Sequence, residues 1–224
     1  MERALFRPVQ SIGFWGKVWI VFLVCICLLG VYAYYIQETK SKYVTVSLRD
    51  YTMWGVYISN FVFLVALSLG GVIVSAIHKL THYDWYRPLS RIAEVVAVGA
   101  IFVAGLSIMA AMGRPDRLYF VFTHGRIQSP IVWDIIVIIT FMAISLLLLV
   151  IPMIPAMSSF KKYLKDKPKW QMKMYKLLSF GWEGTEAQWK ILKKCMQVLT
   201  VMIIPVGVSI HTVTAWLFAS TLRP

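Results

Sequence analysis

Of the 224 residues, 59% are hydrophobic and only 15% are charged, and mean hydropathy is +0.70. A soluble domain holds about 45–50% apolar and about 25% charged residues, so a soluble globular fold is excluded. The net charge of +13 does not point to nucleic acid, because the basic residues lie between apolar runs and not on one face of a soluble domain.

The apolar residues collect in about five runs long enough to cross a bilayer. Residues 1–14 read as a cytoplasmic N-terminus. The first span runs from Trp15 to Ile36, with Lys17 at its cytoplasmic edge and Tyr32, Tyr34 and Tyr35 as an aromatic belt at the far end. It is too long for a signal-peptide core and no small-residue cleavage site follows, so it is expected to be retained. The second span runs from about Met53 to Ile77 and the third from Leu89 to Met112, opened by Pro88. The fourth runs from Ile131 to Ile154, opened by Pro130 and closed or kinked by Pro152 and Pro155. The fifth runs from Cys195 to Ala219, with Pro205 and Gly207 marking a kink. The expected fold is an all-α integral membrane protein. The spans should form a bundle. Gly70, Gly71, Gly99 and Gly105 are the positions where helix backbones should approach closely.

Most of the 23 Lys and Arg fall in the N-terminus, the second-to-third loop and the fourth-to-fifth segment. That bias places these parts in the cytoplasm. In the basic segment 158–194, Trp170, Met174, Leu177 and Leu178 recur near helical spacing between Lys169, Lys173 and Lys176. This reads as an amphipathic helix on the inner leaflet, with a solvated linker as the alternative.

Polar groups inside spans are costly and are therefore candidates for chemistry. Glu94 lies two turns inside the third span, with Arg91 on the same face; a structural salt bridge and a proton-entry carboxylate are both open. Asp134 lies one turn into the fourth span, beside Trp133 and Ser129. It is either an acid that takes a proton from a hydroxyl or half of an ion pair with Arg126 or Arg114. His211, with Thr212, Thr214 and Trp216 nearby, is either a buried neutral histidine bonded to a helix hydroxyl or a proton relay. Trp54, Tyr57 and Asn60 form an aromatic and amide cluster that suits a planar head group or, equally, interfacial anchoring. The loop from Gly113 to Pro130 mixes both charges with turn formers and aromatics, a composition suited to docking a partner.

Cys25, Cys27 and Cys195 form no C-x-x-C pair, so no metal site or iron–sulfur cluster held by this chain alone is expected. His78 and His82 sit at the cytoplasmic edge and His124 in an outer loop. With only His211 deep in a span, no haem held by this chain alone is expected either.

Four stretches resemble the membrane subunit of polysulfide reductase and its relatives, the NrfD/PsrC-type family. They are Trp54-Gly55-Val56-Tyr57-Ile58-Ser59-Asn60-Phe61 leading to Ser68-Leu69-Gly70-Gly71, then Arg87-Pro88-Leu89-Ser90-Arg91-Ile92-Ala93-Glu94. The block from Gly113-Arg114-Pro115 to Trp133-Asp134 and the run His211 to Ala219 complete the match. The resemblance implies a subunit in the cytoplasmic membrane of a prokaryote that binds quinone or menaquinone near the outer face. It implies electron exchange with a ferredoxin-like iron–sulfur subunit docked there, and further subunits of a membrane complex. The protein would not be catalytic alone. By that analogy Asp134 or His211 is the proton acceptor; Trp54, Tyr57, Asn60, His124, Arg126 and Trp133 surround the quinone; and Glu94 and Arg91 begin a proton path. The family usually carries two bundles with eight or more spans, and the resemblance implies that this chain covers one N-terminal helix and the first four-helix bundle, residues 52–219. The second bundle is missing here, so either the chain is part of a longer one or another polypeptide supplies that half. A transporter or proton-translocating bundle and an anchor with no quinone site are the competing readings.

Overall fold

The computed structural model describes residues 13–37, 39, 55–81, 87–111, 118–161, 173 and 177–221. Trp54, His82, the loop 112–117 with Arg114, and Trp170, Met174 and Lys176 of the basic segment lie outside the described residues, as do residues 1–12. Five helices are long and apolar enough to cross a membrane, and the protein is an all-α, multi-pass membrane protein.

The chain divides into two units, Met1–Val56 and Tyr57–Pro224. The first holds α1, Phe14–Ile36, none of whose residues is buried. Apolar side chains cover it all round, and lipid is the only solvent that accepts such a surface.

The second unit contains α2 (Val56–Thr81) from its second residue on, α3 (Arg87–Ala111), the short α4 (Tyr119–Thr123), α5 (Pro130–Val150), α6 (Ile154–Lys161) and α7 (Glu186–Thr221). At 1.5 Å per residue, α2 and α3 are each about 38 Å long, enough for a hydrocarbon layer of about 30 Å. Buried residues recur at spacings of three, four or seven: Phe61, Val65 and Val72 on α2; Ala97, Ile101 and Ala104 on α3; Ile138, Phe141, Ile144 and Leu148 on α5; Ile203 and Ile210 on α7. Ser68 of α2 donates to the Ala97 carbonyl of α3 at 2.7 Å. α3 packs on α5 and α5 on α7. Gly207 of α7 closes the ring against Leu69 of α2 and Phe141 of α5.

The bundle has an apolar core, but its outer surface is apolar as well. Phe63, Phe102, Ile136 and Trp216 face outward, while Ser68, Ser75, Glu94, Asp134, Ser145, Thr200 and Thr214 are buried. Outward apolar side chains lose nothing in lipid, so contact between helices relies on packing and polar pairs.

Small residues act more selectively than the sequence suggests. A Cβ at Gly71 would stand 2.7 Å from the Ala93 carbonyl oxygen, so only glycine lets α2 and α3 meet there. Gly70, Gly99 and Gly105 have nothing within 4 Å of that position. Gly71→Val is expected to cost about 1–3 kcal/mol by overpacking, and Gly70→Val much less. Unfolding of the two variants in mixed micelles checks this.

Proline shapes one helix end, and another helix begins earlier than the sequence reading placed it. α5 tightens into a 3₁₀ turn at Ile151–Met153 before α6 resumes, because Pro152 and Pro155 lack the N–H that the α-helical ladder needs. α7 begins at Glu186, nine residues before Cys195, and continues as one helix through Pro205. Thr185 and Gln188 form a capping box there. Gln188 N donates to Thr185 Oγ1, and Gln188 Oε1 accepts from the Glu183, Gly184 and Thr185 amides. The last nine residues of the basic segment therefore belong to a spanning helix.

Candidate functional site

The antiparallel helices gather polar side chains at two opposite ends. At one end, Pro130 and the extended Ser129 start α5, which sets Asp134 one turn inside. Asp134 is only 3% exposed. Its partner comes from 80 residues away: Thr214 of α7 donates to Oδ1 at 2.7 Å. Oδ2 has no partner among the described residues. One turn deeper, Ile138 and Ile210 close the core below the pair.

Asn60 near the start of α2 and Ser107 near the end of α3 lie at the same end. Asn60 Nδ2 donates to Ser107 Oγ at 2.9 Å, and Ser107 donates to the Val103 carbonyl. Tyr57, one turn before Asn60, is half-buried. Trp133 is exposed and its indole N–H donates to the Ile127 carbonyl, tying the preceding loop to α5. His124 is exposed, with Nδ1 2.8 Å from Thr123 Oγ1 and its ring 5.4 Å from Phe120. Arg126 is exposed and makes no ion pair with Asp134 among the described residues. His211 lies on the exposed side of α7. The residue that reaches the acid is Thr214, three positions on. Of the two expected ion-pair partners of Asp134, Arg114 lies outside the described residues; the observed partner is a hydroxyl.

Glu94 occupies the opposite end, also 3% exposed. Arg91 Nη1 lies 2.8 Å from Oε2, one turn away on α3. The other oxygen accepts from Ser75 Oγ at 2.6 Å and pairs with Lys79 Nζ, both on α2. Ser90 donates to Ser75 at 3.2 Å. The sequence reading paired Glu94 with Arg91 alone and did not find Lys79, Ser75 or Ser90. One signal was present: Lys79 ends the second apolar run and Glu94 lies early in the third, so a tight antiparallel pair puts opposite charges at one depth. A cleft of about 490 Å³ opens beside this cluster.

Among the described residues, no three His, Cys, Asp or Glu side chains converge as a metal site. What the two ends offer is proton and charge chemistry, carried by acids held out of water inside lipid-facing helices. Those features define a multi-pass membrane bundle with buried ionisable sites.

The profile of the NrfD family, described as polysulphide reductase, matches residues 44–223. The chain belongs to the NrfD family. It is 30% identical over 223 residues to a dimethyl sulfoxide reductase membrane subunit of Halobacterium salinarum, covering 96% of this chain and 46% of that protein. It is 22% identical over 209 residues to a selenate reductase subunit of Mesobacillus selenatarsenatis, covering 90% and 48%. Over 95 residues it is 30% identical to the Hdr-like menaquinol oxidoreductase integral membrane subunit of Archaeoglobus fulgidus, covering 42% and 23%. The chain thus spans about half the length of the first two relatives.

Proposed function

We propose that this chain is the quinone-interacting membrane subunit of a respiratory electron-transfer complex. The carrying observation is Asp134: a carboxyl buried among lipid-facing helices, bound on one oxygen by Thr214 and with the other unpartnered among the described residues. Oδ2 can take a proton from a quinol hydroxyl or return one to a reduced quinone. His211, exposed near the same end of α7, is the second candidate acceptor. Asn60, Tyr57, Trp133, His124 and Arg126 supply amide, phenol, indole, imidazole and guanidinium groups around that end, and Trp54 precedes them on the chain. The redox change belongs to the quinone, which exchanges electrons with an iron–sulfur partner subunit. The name of the Archaeoglobus relative supports menaquinone.

In this reading the Asp134 end faces outward and the N-terminus lies in the cytoplasm of a prokaryotic cell. Support comes from the charges: Lys79, Arg91, Lys190, Lys193 and Lys194 all belong to the Glu94 end. The exposed Tyr119, Phe120, Phe122 and Ile127 near Asp134 suit the face of a docked subunit. Glu94 and Arg91 then stand where protons would enter from the cytoplasm.

The test is purification from native membranes with mild detergent. An iron–sulfur subunit and extractable quinone are expected to accompany the chain. Isolation without either, together with substrate flux in liposomes lacking a redox partner, would replace this reading with that of a transporter.

A further inference from the structure

The cleft beside Glu94 takes no part in the quinone chemistry at Asp134, although Glu94 and Arg91 on its wall are the proposed proton entry. It lies where the end of α2, the start of α3, the Pro152 turn and the first half of α7 meet. Three cations line it, Lys79, Arg91 and Lys193, against one carboxylate, Glu94. Glu94 engages Lys79 and Arg91 from the α2–α3 side. Lys193 stands on the α7 wall, and no carboxylate pairs with it among the described residues. His78 also lines the cleft, and its buried Nδ1 has no hydrogen-bond partner among the described residues. A buried polar nitrogen and a surplus of positive charge both lack a counterpart, which an anionic oxygen would supply.

The remaining wall decides what carries that oxygen. Pro152, Leu192 and Met196 make it largely apolar. Next to it, Leu80 and Ile191 are exposed on helices whose outer faces are apolar. A free inorganic anion gains nothing from such a wall, whereas an amphiphile fits both halves. Basic pockets between spanning helices at the cytoplasmic edge are suited to anionic headgroups.

We propose that this cleft binds an anionic phospholipid. Its phosphate lies between Lys193 and Arg91 within reach of His78, and its first acyl methylenes run along Leu192 and Met196. The bound lipid would join α7 to the α2–α3 pair at a place where protein packing leaves a gap. Lipid retention at this cleft does not depend on the fate of Asp134 or on quinone turnover.

Native mass spectrometry of the purified protein, offered equimolar phosphatidylglycerol and phosphatidylcholine, tests it. The protein should retain phosphatidylglycerol in preference. Each basic side chain near an anionic lipid is worth roughly fivefold in binding. Lys193→Gln should therefore weaken retention about fivefold, and Lys193→Glu, which exchanges attraction for repulsion, roughly twenty-fivefold. Lys193 is exposed, so neither change touches the core. Lys194→Glu, next in the chain but outside the cleft, should have little effect. Equal retention of the two lipids would overturn the proposal. So would equal losses from Lys193→Glu and Lys194→Glu, which would mean diffuse surface charge. Displacement of the lipid by millimolar inorganic phosphate would show the occupant to be a free anion and would also overturn it.

Discussion

Asp134→Asn is expected to slow quinone turnover by about 10²–10⁴-fold, the usual range for loss of a positioned general acid or base, while the complex still assembles. The amide matches the carboxyl in size. Its carbonyl oxygen can still accept the Thr214 hydrogen bond, observed at 2.7 Å, so the α5–α7 contact survives. What is lost is the ability to take up and release a proton. Thr214→Val separates the two roles. It deletes the hydroxyl and leaves the acid, removing one buried hydrogen bond between helices, worth about 0.5–1.5 kcal/mol. Its main effect should be on stability, with turnover falling far less than for Asp134→Asn. Steady-state turnover by the purified complex, read beside the amount of each protein it holds, is the measurement. Full turnover in Asp134→Asn would remove the acid from the mechanism. Loss of the iron–sulfur partner in the same variant would make Asp134 a structural group.

The second large effect is on stability. Glu94→Leu should cost about 3–5 kcal/mol, the range for breaking a buried ion pair from one side. The physical cause is Lys79, whose side chain is only 18% exposed and would be left without its counterion. Ser75 would lose its acceptor as well. Arg91 suffers less, because its side chain is 42% exposed and turns to water or headgroups. The double variant Glu94→Leu/Lys79→Met should recover most of the loss, since replacing both partners with apolar groups is often neutral or better. Reversible unfolding in mixed micelles gives the three free energies and their coupling. A loss under about 1 kcal/mol in the single variant would mean that Lys79 reaches solvent freely. A double variant no more stable than the single one would place the cost elsewhere.

The membrane class and the five spans were legible because they depend on local quantities. A run of uncharged side chains either is or is not long enough for a hydrocarbon layer of about 30 Å. The family was legible too, since its stretches are contiguous runs such as Trp54 to Phe61 and Arg87 to Glu94. Helix ends were less clear. The start of α7 hangs on four residues, Thr185-Glu186-Ala187-Gln188, whose capping contacts are easily lost beside a long basic tract. Proline was readable at both places: at Pro152 as the point where the helix closes or kinks, and at Pro205 as a residue inside a span that runs on through it.

The site divides along the same line. Chain order alone nominates Asp134, Glu94 and His211, since ionisable groups stand out against apolar neighbours. It does not say what each one meets. Asp134 finds Thr214 across 80 residues, Asn60 finds Ser107 across 47 and Ser75 finds Glu94 across 19. Helical periodicity tells which residues share a face, but not the rotation or depth of the helix opposite. For that reason His211 and Thr214, three residues apart, could not be ranked beforehand; packing turns the threonine inward and leaves the histidine exposed. Hydrophobic length decides that the chain enters the membrane and how often it crosses. The pairing of its buried acids is set by where glycines such as Gly71 and Gly207 let neighbouring helices close, and that contact exists only once the bundle has formed.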